Sequence, residues 1–480
     1  MHERRSREAG SAYKVLQSTA NRLYADCMQS WTPTLRADGA ARYLQLADAI
    51  AEGVSDGTLS VGDRLPPQRR LADRLGIDFT TVSRGYAEAR RRGLISSHVG
   101  RGTFVARPAD APEQPEARRR SDVDLTMNLP PEPQDPALLE RMQEGLQTVS
   151  ANLVNLLRYQ SATGGQIDKD AASTWLSLRG LVPSLDRIAV TPGAHPTMLA
   201  ILMGLTRPGD TILCEAVTYP GLRGIAGRLG LTLVGLPMDA EGIEPDALDD
   251  AIRRHAPKAL YLNPTLQNPT TRTISRARRE RIAEVISAHK LPLIEDDAYG
   301  FIPPSPPAPL ASFAPDLVWH IGGLAKCIGA GLRLAYTVAP NSHAARELAH
   351  HLKVISVMPS PLNMALATRW ITDGTADRIR RFIREETAAR QEIAAQVLAQ
   401  STYESHPHAF NIWLRLPPGH GRAAVIGRMA GTGLGIMPSD AFTVSGAPCE
   451  SLRVCLGGQV SRKDLRDSLG LLAYVTSSPF

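Results

Sequence analysis

Residues 107–121, Arg-Pro-Ala-Asp-Ala-Pro-Glu-Gln-Pro-Glu-Ala-Arg-Arg-Arg-Ser, set the first limit on what this chain can fold into. The stretch holds three prolines and no apolar face, so it has nothing to bury and few regular hydrogen bonds to make. A hydrophobic core does not run through such a segment. The chain is therefore expected to fold as two separate parts joined by a solvated linker, and 480 residues exceed one ordinary core.

Charge divides at the same place. The first 120 residues carry 20 Arg and Lys against 14 Asp and Glu, while the rest balance at 34 against 34, so the net +6 belongs to the first part. That asymmetry is the footprint of a domain facing a polyanion. No apolar run is long enough for a bilayer, and Met1-His2-Glu3-Arg4-Arg5 lacks the apolar core of a signal peptide. Cytoplasm is the expected location, with no membrane partner. Five scattered cysteines without CxxC spacing read as reduced thiols. His350-His351 and His406-x-His408 lack a third ligand at metal spacing, so no metal is expected.

Residues 1–40 form an N-terminal extension placed to cap the first domain. Over 41–106 the pattern predicts three helices and a hairpin. Leu44, Ala47, Ile50 and Val54 share a face before Gly57; helical signals return over Gln68–Leu75 and stop at Gly76. Asp78 caps a third helix over Phe79–Arg92. Leu94-Ile95 and Thr103-Phe104-Val105 then read as two strands around Gly100-Arg101-Gly102. Such an order is a winged helix-turn-helix, whose second paired helix enters the major groove. The small and basic residues needed at its front are Thr80, Thr81, Ser83 and Arg84, and the turn at Arg101 and Gly102 gives the wing a cation and close backbone approach.

The string Gly57, Leu59, Gly62-Asp63, Leu65-Pro66-Pro67, Arg69, Leu71-Ala72, Leu75-Gly76, Thr81-Val82, Gly93-Leu94-Ile95 and Gly102–Val105 resembles the GntR family of bacterial regulators. The resemblance implies contacts to double-stranded operator DNA from Arg64, Arg69, the reading-helix residues and the wing. Members often place arginine where this chain has Phe79, so base preference does not carry over.

Residues 122–480 alternate short β-rich runs with helical stretches, at 187–191, 211–215, 232–236, 259–262, 291–295, 318–321 and 334–338, which predicts a mostly parallel α/β sheet. A long charged helix over about 374–399 and short strands after it suit a smaller α+β subdomain. Three segments carry chemistry. Lys326 precedes Arg333 by seven residues between two predicted strands; Asp296-Asp297-Ala298-Tyr299 closes a strand; and Asn268-Pro269-Thr270 lies upstream. Together they resemble fold-type I aminotransferases, which hold pyridoxal 5'-phosphate (PLP). The resemblance implies Lys326 as the Schiff-base lysine, Arg333 as a phosphate anchor, Asp296 on the ring nitrogen, and Tyr299 and Asn268 on the phenolic oxygen. It further implies Tyr219 stacked on the ring, a phosphate turn at Gly193, Ala194 and His195, Tyr159 reaching a neighbouring subunit's phosphate, and Arg453 on a ligand carboxylate. Gly323 and Ala325 replace the family's hydroxyls, and Thr271 replaces a glycine. Two lost neutral hydrogen bonds weaken phosphate binding by roughly 1–3 kcal/mol, which Lys326 and Arg333 are expected to withstand.

A winged helix fused through a Pro-rich linker to an aminotransferase-like domain resembles the MocR subgroup of the GntR family. The expected fold is an all-α-type winged helix-turn-helix with a β wing, followed by an α/β PLP-dependent transferase of fold type I with a C-terminal α+β subdomain. The resemblance implies a homodimer that senses a small amino compound or amino acid through PLP on Lys326 and regulates transcription. Two other readings stand beside it: an active aminotransferase with an accessory DNA-binding domain, and a sensor of PLP itself.

Overall fold

The computed structural model describes residues 31–35, 41–98, 102–106 and 124–477. The chain divides into two compact units, Met1–Val123 and Asp124–Phe480. The linker 107–121 and most of the extension 1–40 lie outside the described residues. Within the extension, Trp31 and Leu35 pack against the first unit's core.

In the first unit, α1 (Arg42–Ser55) packs across α3 (Phe79–Arg91), with α2 (Gln68–Leu75) between them in sequence. The buried face of α1 is Leu46, Ala47, Ile50 and Gly53, rather than the stripe through Leu44 and Val54, both of which are only half-buried. Gly85 explains the rotation. It gives Leu46 room on α3, where a Cβ would lie 2.7 Å from Leu46 Cδ2. Gly76 ends α2 in the left-handed region at φ 59°, and Asp78 caps α3 by accepting from Thr80 N at 2.7 Å. Strands β1 (Ile95–His98) and β2 (Gly102–Val105) pair antiparallel, with Ile95 opposite Val105. The approach to α2 adds a third edge, since Leu65 N donates to Thr103 O and Gly62 N to Val105 O, both at 2.9 Å.

The second unit is built on a seven-stranded sheet. Its strands are β3 (Ile188–Thr191), β4 (Thr211–Glu215), β5 (Thr232–Leu236), β6 (Ala259–Leu262), β7 (Leu293–Asp296), β8 (Val318–Gly323) and β9 (Ala335–Val338), in the order β3-β9-β8-β7-β6-β4-β5. Only β9 runs against its neighbours; the other pairings are parallel. The central strands are buried on both faces, as covering helices require, and so read as apolar runs rather than alternations. This topology gathers the site's elements on one side: β3, β4, β6, β7 and β8 end at the same edge, and β9 begins there. A smaller antiparallel sheet, β10 (Thr402–Glu404), β11 (Asn411–Arg415), β12 (Ile436–Pro438) and β13 (Ser451–Cys455), ordered β10-β11-β13-β12, forms the C-terminal part beside the helix Thr375–Val397. No helix among the described residues is long and apolar enough to cross a membrane.

Leu46 is fully buried between α1 and α3. Leu46→Ala is expected to cost the first unit about 2–5 kcal/mol, read as a lowered urea midpoint for its helical signal, while the second unit's unfolding transition stays where it was.

Candidate functional site: a cavity at the strand ends and a basic helix-turn-helix

Ligands of open α/β sheets bind beyond the carboxyl ends of the strands, and a cavity of about 330 Å³ lies there. Asn268, Asp296, Tyr299, Lys326, Arg333, Tyr219, Gly193, Ala194, His195 and Arg453 all line it. Each has a local reason for its place. Asp296 is the last residue of β7, Lys326 closes the turn after β8, and Arg333 stands just before β9. Tyr219 caps the helix Pro220–Leu229 after β4, and Gly193, at φ 107°, caps the helix Ala194–Leu205 after β3. Arg453 comes from β13 of the smaller sheet. Tyr159 does not line the cavity and is 87% exposed.

The acidic triplet Glu295-Asp296-Asp297 shows how alternation sorts like residues. Glu295 accepts from Leu310 N at 2.7 Å and Ala311 N at 3.1 Å, with Arg279 3.5 Å away. Asp297 pairs with Arg179 at 2.7 Å, and His320 lies within 3.2 Å of Glu295. Asp296 faces the other way. Tyr261 donates to its Oδ2 at 2.8 Å, while Oδ1 is buried with no partner among the described residues. Burial, reinforced by the Asp297 charge, pushes its carboxyl up to about 6.

Lys326 is half-buried, and its amine donates to Asn128 O. Enclosure lowers that amine to about 8, leaving an appreciable neutral fraction near neutral pH, as a nucleophile requires. Tyr299 accepts from Asn128 Nδ2 at 3.0 Å. The Arg333 guanidinium runs beside Gly193, where a Cβ would sit 3.5 Å from Nη2. A cation and a helix N-terminus thus meet at one corner, a combination suited to a phosphate. Arg453 is 2% exposed; Nη1 reaches Asn268 Oδ1 at 3.3 Å, Nη2 donates to Thr126 O, and Nε has no partner among the described residues.

On the first unit, Arg64, Arg69, Thr80 and Arg84 are exposed, and Thr81 and Ser83 half-buried. The Arg64 guanidinium lies against Gly102 at the foot of the wing. Arg84 stacks over the Tyr43 ring at 4.3 Å, and Arg69 stands 5.9 Å from the ring of the partly exposed Phe79. Thr80 is engaged by Asp78 through both amide and hydroxyl, so it serves the helix cap. Gly100 and Arg101 lie outside the described residues.

Residues 122–469 match the family described as aminotransferase class I and II. The chain belongs to that family. Residues 42–105 match the bacterial regulatory proteins of the gntR family. The chain is 29% identical to the HTH-type transcriptional regulator YdeF of Bacillus subtilis, over 92% of this chain and 96% of that one. It is 27% identical to PtsJ of Salmonella typhimurium, a vitamin B6 salvage pathway transcriptional repressor, over 86% of this chain and 93% of that one. The fold is shared with the α-aminoadipate aminotransferase LysN of Thermus thermophilus, at TM-score 0.67 and 21% identity over 74% of this chain and 91% of that one.

The aminotransferase domain's cavity fits PLP on its own evidence. A buried, unpartnered carboxylate oxygen calls for a positively charged donor, which a protonated ring nitrogen supplies. The corner at Arg333 and Gly193 suits the phosphate, and the half-buried Tyr219 ring offers a stacking face. Several lining residues go beyond those that the sequence motifs mark. Asn263 donates to Asp296 O at 2.6 Å and accepts from Asn268 N at 2.8 Å, tying the two together. A signal for it does exist: Asn263-Pro264-Thr265 repeats the Asn-Pro-Thr triplet at the end of β6. Thr126, Met127, Asn128 and Met437 also line the cavity and carry no motif. Thr271 adopts φ 65°, the left-handed region where glycine is at ease.

With its carboxyl at about 6 against about 4 unfolded, Asp296 binds a proton in the folded chain that the unfolded chain has released. Folding stability therefore falls as pH rises through that window. Asp296→Asn removes the ionisation. In protein dialysed free of small ligands, the variant is expected to be more stable at pH 7 by on the order of 2 kcal/mol, a gap that closes towards pH 4 in urea unfolding.

Proposed function

We propose that this protein is a PLP-dependent transcriptional regulator, in which a winged helix binds operator DNA and the aminotransferase domain senses a small amino compound. The observation that carries the reading is the presence on one chain of an exposed basic helix-turn-helix and an amine-bearing cavity fitted to PLP. Support comes from relatives that are named as transcriptional regulators and match it over nearly their whole length. The cytoplasm is its place of action.

When bound, PLP supplies an aldehyde that passes between amines and a ring that withdraws electrons. The chain's residues do the rest. Lys326 would offer the resident amine, Asp296 would hold the proton on the ring nitrogen, Tyr299 and Asn268 would serve the phenolic oxygen, and Arg333 with the Gly193–His195 turn would hold the phosphate. Arg453 takes the carboxylate of the incoming amino compound. For this to change DNA binding, the ligand must prefer one arrangement of the protein over another.

The working form is a homodimer. Leu153, Val154, Leu157 and Tyr159 expose an apolar strip, which the contact of Gln160 N with Met358 Sδ at 3.2 Å joins to exposed Val354 and Val357. A surface of that kind marks an interface. A second reading, in which the vitamin itself is the effector, is favoured by the likeness to PtsJ.

Protein purified with PLP is expected to absorb in the visible, with the band lost in Lys326→Ala. Genomic fragments selected by the wild type should dissociate at lower salt from Arg69→Ala, with the salt slope reduced by about 1. A band that shifts with amino acids and changes fragment binding supports the amine sensor. Fragment binding that follows PLP alone supports the second reading. Steady turnover at about 1 per second or faster would instead make the protein an enzyme. Leu157→Glu is expected to shift the sedimenting species from dimer to monomer.

A further inference from the structure

We infer that the segment Thr126–Asn128 is a built-in competitor for the cavity's amino-acid ligand, and that a ligand carboxylate displaces it from Arg453. The inference rests on the reading of the cavity as a PLP and amino-compound site. The guanidinium assigned to the ligand carboxylate and the amine assigned to the cofactor are both held by main-chain oxygens two residues apart: Arg453 Nη2 donates to Thr126 O, and Lys326 Nζ to Asn128 O. Thr126, Met127 and Asn128 all line the cavity.

The guanidinium shows why a carboxylate wins. Nε and Nη2 form one edge of the Arg453 fork; Nη2 is on a neutral carbonyl, and Nε is buried without a partner among the described residues. A carboxylate engages both at once, and such charged, two-pronged hydrogen bonds are roughly twice as strong as neutral ones. It fills the orphan and takes Nη2 from Thr126 O in a single exchange.

The segment is firmly tied on one side only. Asn128 is 4% exposed and donates to Tyr299 Oη at 3.0 Å and to Asn411 Oδ1 at 2.9 Å. Behind it, Gly458 N donates to Pro130 O at 3.0 Å. Ahead of it, Asp124–Met127 is exposed, and its side-chain bonds close on themselves, Asp124 accepting from Thr126 N at 2.9 Å and Oγ1 at 2.6 Å. Arg453 donates to the main chain of this stretch, and Leu125 O packs on Gly435. Residue 124 is also where the second unit begins.

The test compares two probes on the full-length protein by hydrogen–deuterium exchange, with binding of each measured separately by calorimetry. N-(5'-phosphopyridoxyl)-L-alanine carries the carboxylate, and pyridoxamine 5'-phosphate lacks it. The conjugate is expected to speed exchange of amides 125–127 by about tenfold or more, and pyridoxamine 5'-phosphate to leave them unchanged. A bound conjugate with no faster exchange, or equal effects from both probes, overturns the inference. Failure of both probes to bind overturns the cofactor reading, and this inference with it. Thr126→Gly loosens the competing turn while keeping its carbonyl, so the conjugate should bind about two- to fivefold more tightly; unchanged or weaker binding overturns the proposal.

Discussion

Three consecutive acids lie at the end of the central strand, and the middle one makes no ion pair among the described residues. That imbalance organises the second unit. Arg179, Arg279 and His320 gather around Glu295 and Asp297 on one side of β7, while Asp296 faces the cavity with one oxygen bonded to Tyr261 and the other bare. A carboxylate so enclosed is costly to ionise, and its carboxyl rises accordingly. Ion pairs hold the other two acids on the far side of the strand. A cofactor with a protonated ring nitrogen completes the arrangement; a neutral ligand does not.

The sheet turns this local imbalance into a site. Because β9 runs against its neighbours, its first residues meet the last residues of the parallel strands, with Thr191, Ala335 and Gly323 abreast. Arg333 therefore approaches the turn at Gly193 although the two are 140 positions apart in the chain. The smaller sheet supplies Arg453, so the cavity is lined from two sheets of the unit.

Much of this is legible in the sequence, for a physical reason. Lysine, aspartate, tyrosine and arginine at strand ends stand out because their types are wrong for apolar strands, and their order matches a known chemistry. The strand boundaries are legible too, from apolar runs broken by Gly, Pro and Asp. Other features give no local signal. Arg179 and Arg279 lie far in sequence from the acids they neutralise, and nothing around them marks the partnership. The buried face of α1 departs from its own apolar pattern because Gly85, on another helix, decides which side Leu46 presents. Thr126 is invisible for a deeper reason, since what it offers Arg453 is backbone.

A contact made by backbone changes over generations in its own way. Every residue type carries the same carbonyl, so replacement at Met127 leaves the two acceptors beside it in place, and the side chain there is free to drift. A deletion or insertion behaves otherwise. Removing one residue between Asp124 and Asn128 pulls the carbonyl pattern out of register with Arg453 while the anchoring side chain of Asn128 holds its ground. Relatives that keep the switch should therefore agree in the length of this stretch more than in its spelling.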